Sequence, residues 1–148
     1  MKKTILFGLF AAFCAMTLAA ATPEGWTSDF EAAKKLAAKE NKHMYVLFTG
    51  SDWCPYCVKL NKNVLSKDKF KKFAKDNLVL VYIDFPRRSK ADNPEANEKL
   101  AKQYDVDGFP TAKVMTPDGK VVTEIVGAPP EKAYLKKLSS ALVKARKQ

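Results

Sequence analysis

The 148-residue chain is poor in the residues that bind metals and carry most acid–base chemistry: it has one histidine, His43, and three cysteines, Cys14, Cys54 and Cys57. A closed zinc site needs four protein ligands, and this supply cannot build one within a single chain. Copper(I) needs fewer ligands and suits thiolates, so a copper-binding dithiol module stays open as an alternative. His43 begins an apolar run with no nucleophile motif near it, which argues against a serine hydrolase. After Leu18 no apolar run approaches the ~20 residues that cross a bilayer. Internal repeats and low-complexity segments are also missing, and the length suits one hydrophobic core.

Acidic residues are outnumbered, with 16 Asp and Glu against 26 Lys and Arg, for a formal charge of +10. The lysines are scattered. In "KDKFKKFAKD" and "EKAYLKKLSSALVKARK" they surround apolar positions at helical spacing, as on a solvated helix face. There is no basic patch with stacking aromatics and no recognition motif, so nucleic acid is not an expected partner.

The first residues, "MKKTILFGLFAAFCAMTLAAATPEGW", place Lys2 and Lys3 before an apolar run from Ile5 to Leu18, followed by Ala19, Ala20 and Ala21. This is the three-part plan of a secretory signal, with Ala19 and Ala21 fitting a small-x-small cleavage site. Residues 1–21 are therefore expected to be a signal peptide and residues 22–148 a single exported domain, periplasmic or secreted. Phe13 precedes Cys14, where a lipoprotein signal has a small residue, so Cys14 is expected to leave with the leader. Cleavage leaves a charge of +8, since residues 1–21 hold two lysines and no acid. Two cysteines remain, and an oxidising compartment is expected to cycle such a pair or hold it oxidised.

Ser28-Asp29-Phe30-Glu31 is a capping-box pattern, and Phe30, Ala33, Leu36 and Ala37 follow at helical spacing to about Asn41. "HMYVLFTG" predicts a buried strand ending at Gly50. Cys54 then opens a helix with Pro55 in its first turn, where a missing N–H is harmless. That helix is expected to reach about Asn63, and Ser66 to cap a further piece through Asp76 with Phe70 and Phe73 facing inward. "NLVLVYID" (77–84) predicts a central strand covered on both faces. Asn93-Pro94 starts a helix to about Tyr104, and Pro117-Asp118-Gly119 turns a hairpin. Pro129 and Pro130 start a last amphipathic helix carrying Leu135, Leu138 and Leu142.

A strand leading to "WCPYC" at the start of a helix, with "GFPT" (Gly108 to Thr111) before a hairpin and a final helix, resembles the thioredoxin superfamily over about residues 26–146. The leader and "FTGSDWCPYC" look like the exported thioredoxin-like proteins of bacteria, and Pro-Tyr is the dipeptide of many glutaredoxins. The resemblance implies an α/β thioredoxin-like fold, a central mixed sheet flanked by helices. It implies a thiol-disulfide oxidoreductase with no bound cofactor, acting on protein thiols and disulfides and recycled by a redox partner, which a membrane could hold. A monomer is expected.

A thiol attacks a disulfide as its thiolate, and a helix N-terminus stabilises negative charge there. Cys54 has that position and is the expected nucleophile; Cys57, one turn on, is the expected resolving thiol. An inert local disulfide is the bland alternative, but so short a loop constrains little unfolded-state entropy. The resemblance implies that Pro110 is a cis-proline opposite the cysteines, turning the Phe109 backbone toward an extended substrate strand. Trp53, Pro55, Tyr56 and Phe109 complete the expected substrate surface.

Two departures from the family pattern stand out. Phe48 occupies the position of thioredoxin's buried acid, six residues before the first cysteine, and Leu80 replaces the lysine that usually faces it. The proposed proton shuttle for the resolving cysteine is thus missing. The segment Phe85 to Asn93 is longer than thioredoxin's, and its Arg87, Arg88 and Lys90 are expected to be solvated. Neither Pro55 nor Tyr56 carries positive charge, and Asp52 opposes the thiolate weakly. The expected potential is about −230 to −180 mV, between ~−270 for thioredoxin and ~−120 for the strongest periplasmic oxidant. That range favours a reductase or isomerase over an oxidase of the same fold.

Overall fold

The computed structural model describes residues 22–146; the expected leader, residues 1–21, lies outside the described residues. Along the chain run β1 (Trp26–Thr27), α1 (Phe30–Glu40), β2 (His43–Thr49), α2 (Pro55–Leu60), a π-helical turn (Asn61–Leu65), α3 (Asp68–Asn77), β3 (Leu78–Asp84), α4 (Pro94–Gln103), β4 (Thr111–Met115), β5 (Val121–Val126) and α5 (Glu131–Ala145). The sheet order is β1-β3-β2-β4-β5. The first three strands are mutually parallel, whereas β4 runs antiparallel to both β2 and β5.

The apolar runs of β2 and β3 lie at the centre because a sheet covered on both faces needs apolar side chains on both. Tyr45 and Leu47 point to one face, against Leu60, Val64, Phe70 and Leu138. Met44, Val46 and Phe48 point to the other, against Phe30, Ala33 and Ala37 of α1 and Leu100 of α4. Full burial of one leucine such as Leu138 stabilises the fold by about 1.5–3 kcal/mol. Within the first face the hydroxyls of Tyr45 and Tyr134, both fully buried, hydrogen-bond to each other. Burial raises the pKa of both phenols, and the mutual bond satisfies two polar groups that water cannot reach.

Strand register brings three chain segments to one end of the sheet. Thr49 at the end of β2 pairs with Asp84 at the end of β3, and Phe48 pairs with Thr111 at the start of β4. The loops that follow β2, follow β3 and precede β4 therefore converge.

Several local expectations change. Asp29, not Ser28, caps α1, its carboxylate accepting from the Ala32 N–H at 2.9 Å. The second helix passes into a π turn at Asn61, which consumes Ser66: its N–H bonds back to Asn61 O and its hydroxyl to the Asn61 side chain. Lys67 occupies the cap position of α3 without a side-chain bond. Phe70 is buried, while Phe73 and Leu135 are only half-buried. Phe48 and Leu80 do not face each other, because Leu80 packs on the side of the sheet that holds Tyr45. The short strand β1 had no sequence signal; Trp26 anchors it against Tyr45, Phe70 and Tyr82. At the β4–β5 hairpin Gly119 has φ +90°, a conformation that disfavours any side chain.

Candidate active site

The chain leaves β2 through Gly50, Ser51, Asp52 and Trp53 and bends back so that the Cys54 N–H bonds to Gly50 O at 3.0 Å. Cys54 is the N-cap of α2, with extended backbone, and Pro55 follows in the first turn. Its sulfur takes the place of an ordinary capping oxygen, accepting the Cys57 N–H at 3.2 Å. The two cysteines are joined in a disulfide with Cα atoms 5.2 Å apart, and each is 4% exposed. An N-cap sulfur in the dithiol state faces the unpaired N–H groups and partial positive charge of the helix start, which favours its thiolate.

A second donor points at Cys57. The Gly50 N–H lies 3.4 Å from the Cys57 sulfur. Asp84 braces the adjoining residue, accepting the Ser51 N–H at 3.0 Å and the Ser51 hydroxyl at 2.6 Å. Asp84 is almost fully buried, and Asn97 donates to its backbone carbonyl at 3.0 Å. A fixed N–H stabilises a thiolate by hydrogen bonding, which gives Cys57 a stabilising contact where the buried acid is replaced by Phe48. Nearby, burial followed by the Asp84 charge pushes the Tyr82 phenol up to about 12.

The Phe109–Pro110 peptide bond is cis, and the Phe109 carbonyl oxygen lies 3.6 Å from the Cys54 sulfur. The Pro110 carbonyl is occupied by the Gly127 N–H at 2.8 Å, and the Thr111 hydroxyl donates to Gly108 O at 2.8 Å. Phe109 meets Trp53 edge-to-face at 6.0 Å and stacks on Phe85 at 4.9 Å. Tyr56 is 62% exposed beside the cysteines and Pro55 is exposed. Thus Trp53, Cys54 and Phe109 come together, with Pro55, Tyr56, Cys57 and Pro110 adjoining them in the chain.

Residues that sequence reasoning assigned to a solvated loop take part as well. Trp53 Nε1 donates to Phe85 O at 2.7 Å, and the Arg87 guanidinium lies over the Trp53 ring, 3.9 Å from its centroid. The Asp52 carboxylate accepts the N–H groups of Arg87 and Arg88 at 2.9 and 2.7 Å. The Arg87 N–H, opposed by desolvation and joined by the Arg88 N–H, holds the Asp52 carboxyl below its ordinary pKa. Gly50 makes the packing possible: a Cβ there would stand 2.5 Å from Trp53 Cε2. The available signal was topological, since parallel neighbours β2 and β3 release both loops at one edge.

His43 lies at the opposite end of β2 from the cysteine loop, about 20 Å from Thr49 at ~3.3 Å per residue. Burial, then the Arg146 charge, lowers its pKa. Among the described residues no group of three or more His, Cys, Asp or Glu is arranged to hold a metal ion.

A helix-capping cysteine bonded to a second cysteine one turn on, within this five-stranded sheet, defines a thiol-disulfide oxidoreductase of thioredoxin type. The chain belongs to the thioredoxin-like domain family, whose model matches residues 30–142. It is similar to the disulfide bond reductase DsbH of Chlamydia pneumoniae, with 34% identity over 120 residues, 79% of this chain and 72% of that protein. The solved structure of a DsbH oxidoreductase superposes with a TM-score of 0.73 at 30% identity, covering 84% of this chain and 92% of that one. A thioredoxin from Thermus thermophilus superposes with a TM-score of 0.66 at 25% identity, covering 80% and 87%.

Proposed function

We propose that the protein is an exported disulfide reductase for protein substrates, with Cys54 as nucleophile and Cys57 as resolving thiol. The Cys54 thiolate attacks one sulfur of a substrate disulfide, forming a mixed disulfide and expelling the other substrate sulfur as a thiolate. Cys57 then loses its proton and attacks the Cys54 sulfur. The second substrate thiolate leaves, the Cys54–Cys57 disulfide closes, and two electrons have passed to the substrate. The observation that supports this reading best is the capping contact from the Cys57 N–H to the Cys54 sulfur, which favours a thiolate at Cys54. The direction rests on the similarity to a disulfide bond reductase and on the absence of positive charge at Pro55 and Tyr56.

Trp53, Pro55, Tyr56, Phe109 and Pro110 form the substrate surface in this reading, with the Phe109 backbone pairing to an extended substrate strand. Residues 1–21 act as a cleaved signal peptide, residues 22–148 work as one periplasmic or secreted monomeric domain, and a redox partner returns the disulfide to the dithiol. The equilibrium potential against glutathione tests the direction. A value below about −180 mV supports a reductase, whereas one near −120 mV makes the protein an oxidase.

A further inference from the structure

Arg87 stands over the residue that precedes Cys54, and among the described residues its side chain has no charged partner. Its guanidinium covers the ring of Trp53, the residue next to Cys54. Asp52, the acid nearest the motif, spends both carboxylate oxygens on backbone N–H groups of Arg87 and Arg88. Among the described residues no carboxylate forms an ion pair with the Arg87 side chain. Three contacts hold the cation in place: the Asp52 bonds to its backbone, the Trp53 Nε1 bond to Phe85 O, and stacking on the indole. A cation on an aromatic face gives up little further side-chain freedom when an anion arrives.

We propose that Arg87 is a specificity-determining residue, selecting extended substrate segments that carry an acidic side chain next to the cysteine attacked by Cys54. This rests on the thiol-disulfide reading above. The segment would lie along the backbone of Phe109, whose ring meets both Trp53 and Phe85, so the strip from Phe109 to Arg87 forms one wall of the path leading to Cys54. Asp52 is the positioning residue: it fixes the loop backbone that carries Arg87. Arg88 and Lys90 are also exposed but have no stacking contact that fixes them at the dithiol.

The test uses the mature dithiol protein and two disulfide-bonded peptides that differ only in having Glu or Lys beside the reacting cysteine, with hydroxyethyl disulfide as an uncharged substrate. The ratio of kcat/KM for the Glu peptide to that for the Lys peptide is read within each variant, so changes in overall turnover cancel. For the unaltered protein we expect a ratio of about 5 at low salt, carried by KM, since exposed charges interact weakly. The ratio should fall toward 1 in about 1 M salt, where the screening length is ~3 Å. Arg87→Lys should keep a preference for Glu, and Arg87→Glu should invert it. A ratio near 1 in the unaltered protein, or an unchanged preference in Arg87→Glu, overturns the proposal. Failure to reduce any of the three substrates would instead overturn the thiol-disulfide reading.

Discussion

Ser51 is tied to Asp84 twice, through its backbone N–H at 3.0 Å and its hydroxyl at 2.6 Å. The pair closes the gap between the ends of β2 and β3 and fixes the turn whose Gly50 N–H reaches Cys57. Hydrogen bonds to a charged acceptor contribute about 1.5–3 kcal/mol each. Asp84→Ala, which loses both bonds, should therefore lower the unfolding free energy by about 3 kcal/mol or more, and Ser51→Ala, which retains the backbone bond, by about 1.5–3. Urea denaturation of the disulfide form checks both values.

Gly50→Ala should displace the indole of Trp53. The added methyl would meet ring atoms at 2.5 Å, closer than real contacts allow, and relief means breaking the Nε1 bond to Phe85 O. Overpacking of this kind costs about 1–3 kcal/mol. Denaturation of the variant measures that cost, and Trp53 fluorescence in a Trp26→Phe background should report a more solvated ring.

These residues also mark where reading the sequence stops short. The fold was legible because β2 and β3 are unbroken apolar runs, Pro55 and Pro94 sit in helix first turns, and Gly119 requires a turn. The cysteine motif and Gly108 to Thr111 could be read because each carries its chemistry in a few adjacent residues. Asp52, Asp84 and Arg87 could not be placed, since their partners are about 35 residues away and meet only through parallel strand pairing. The π turn hid for a related reason: Ser66 has the composition of a cap, yet its N–H is already bonded five residues back.

The two buried tyrosines should behave as a unit. Tyr45→Phe or Tyr134→Phe alone leaves one buried hydroxyl unpaired, at about 1–3 kcal/mol, whereas the double Phe variant removes both polar groups and should be nearly neutral relative to the unaltered protein, hence more stable than either single. A double-mutant cycle by chemical denaturation measures the coupling. Additive losses would mean that the hydroxyls do not depend on each other.

Alkaline pH should weaken the fold through the phenols. Tyr45, Tyr82 and Tyr134 have raised pKa values in the folded protein, mainly from burial. The unfolded chain therefore loses these protons first, and stability falls as pH rises above the free value of about 10. For Tyr82 the contribution is intact below that value and disappears as pH approaches about 12. Tyr82→Phe should flatten the decline of unfolding free energy over that interval; an equally steep decline would assign the alkaline loss to other groups.

The division of labour between the cysteines is the central claim, and trapping of mixed disulfides tests it most directly. With Cys57→Ser, Cys54 can still attack a protein disulfide but nothing resolves the product, so covalent complexes should accumulate on a non-reducing gel after alkylation. Cys54→Ser should give almost none, because Cys57 sits inside α2, past the N-cap position whose unpaired N–H groups favour a thiolate at Cys54. Complexes with Cys57→Ser alone are the predicted result; equal trapping by both variants, or trapping by Cys54→Ser alone, would contradict it.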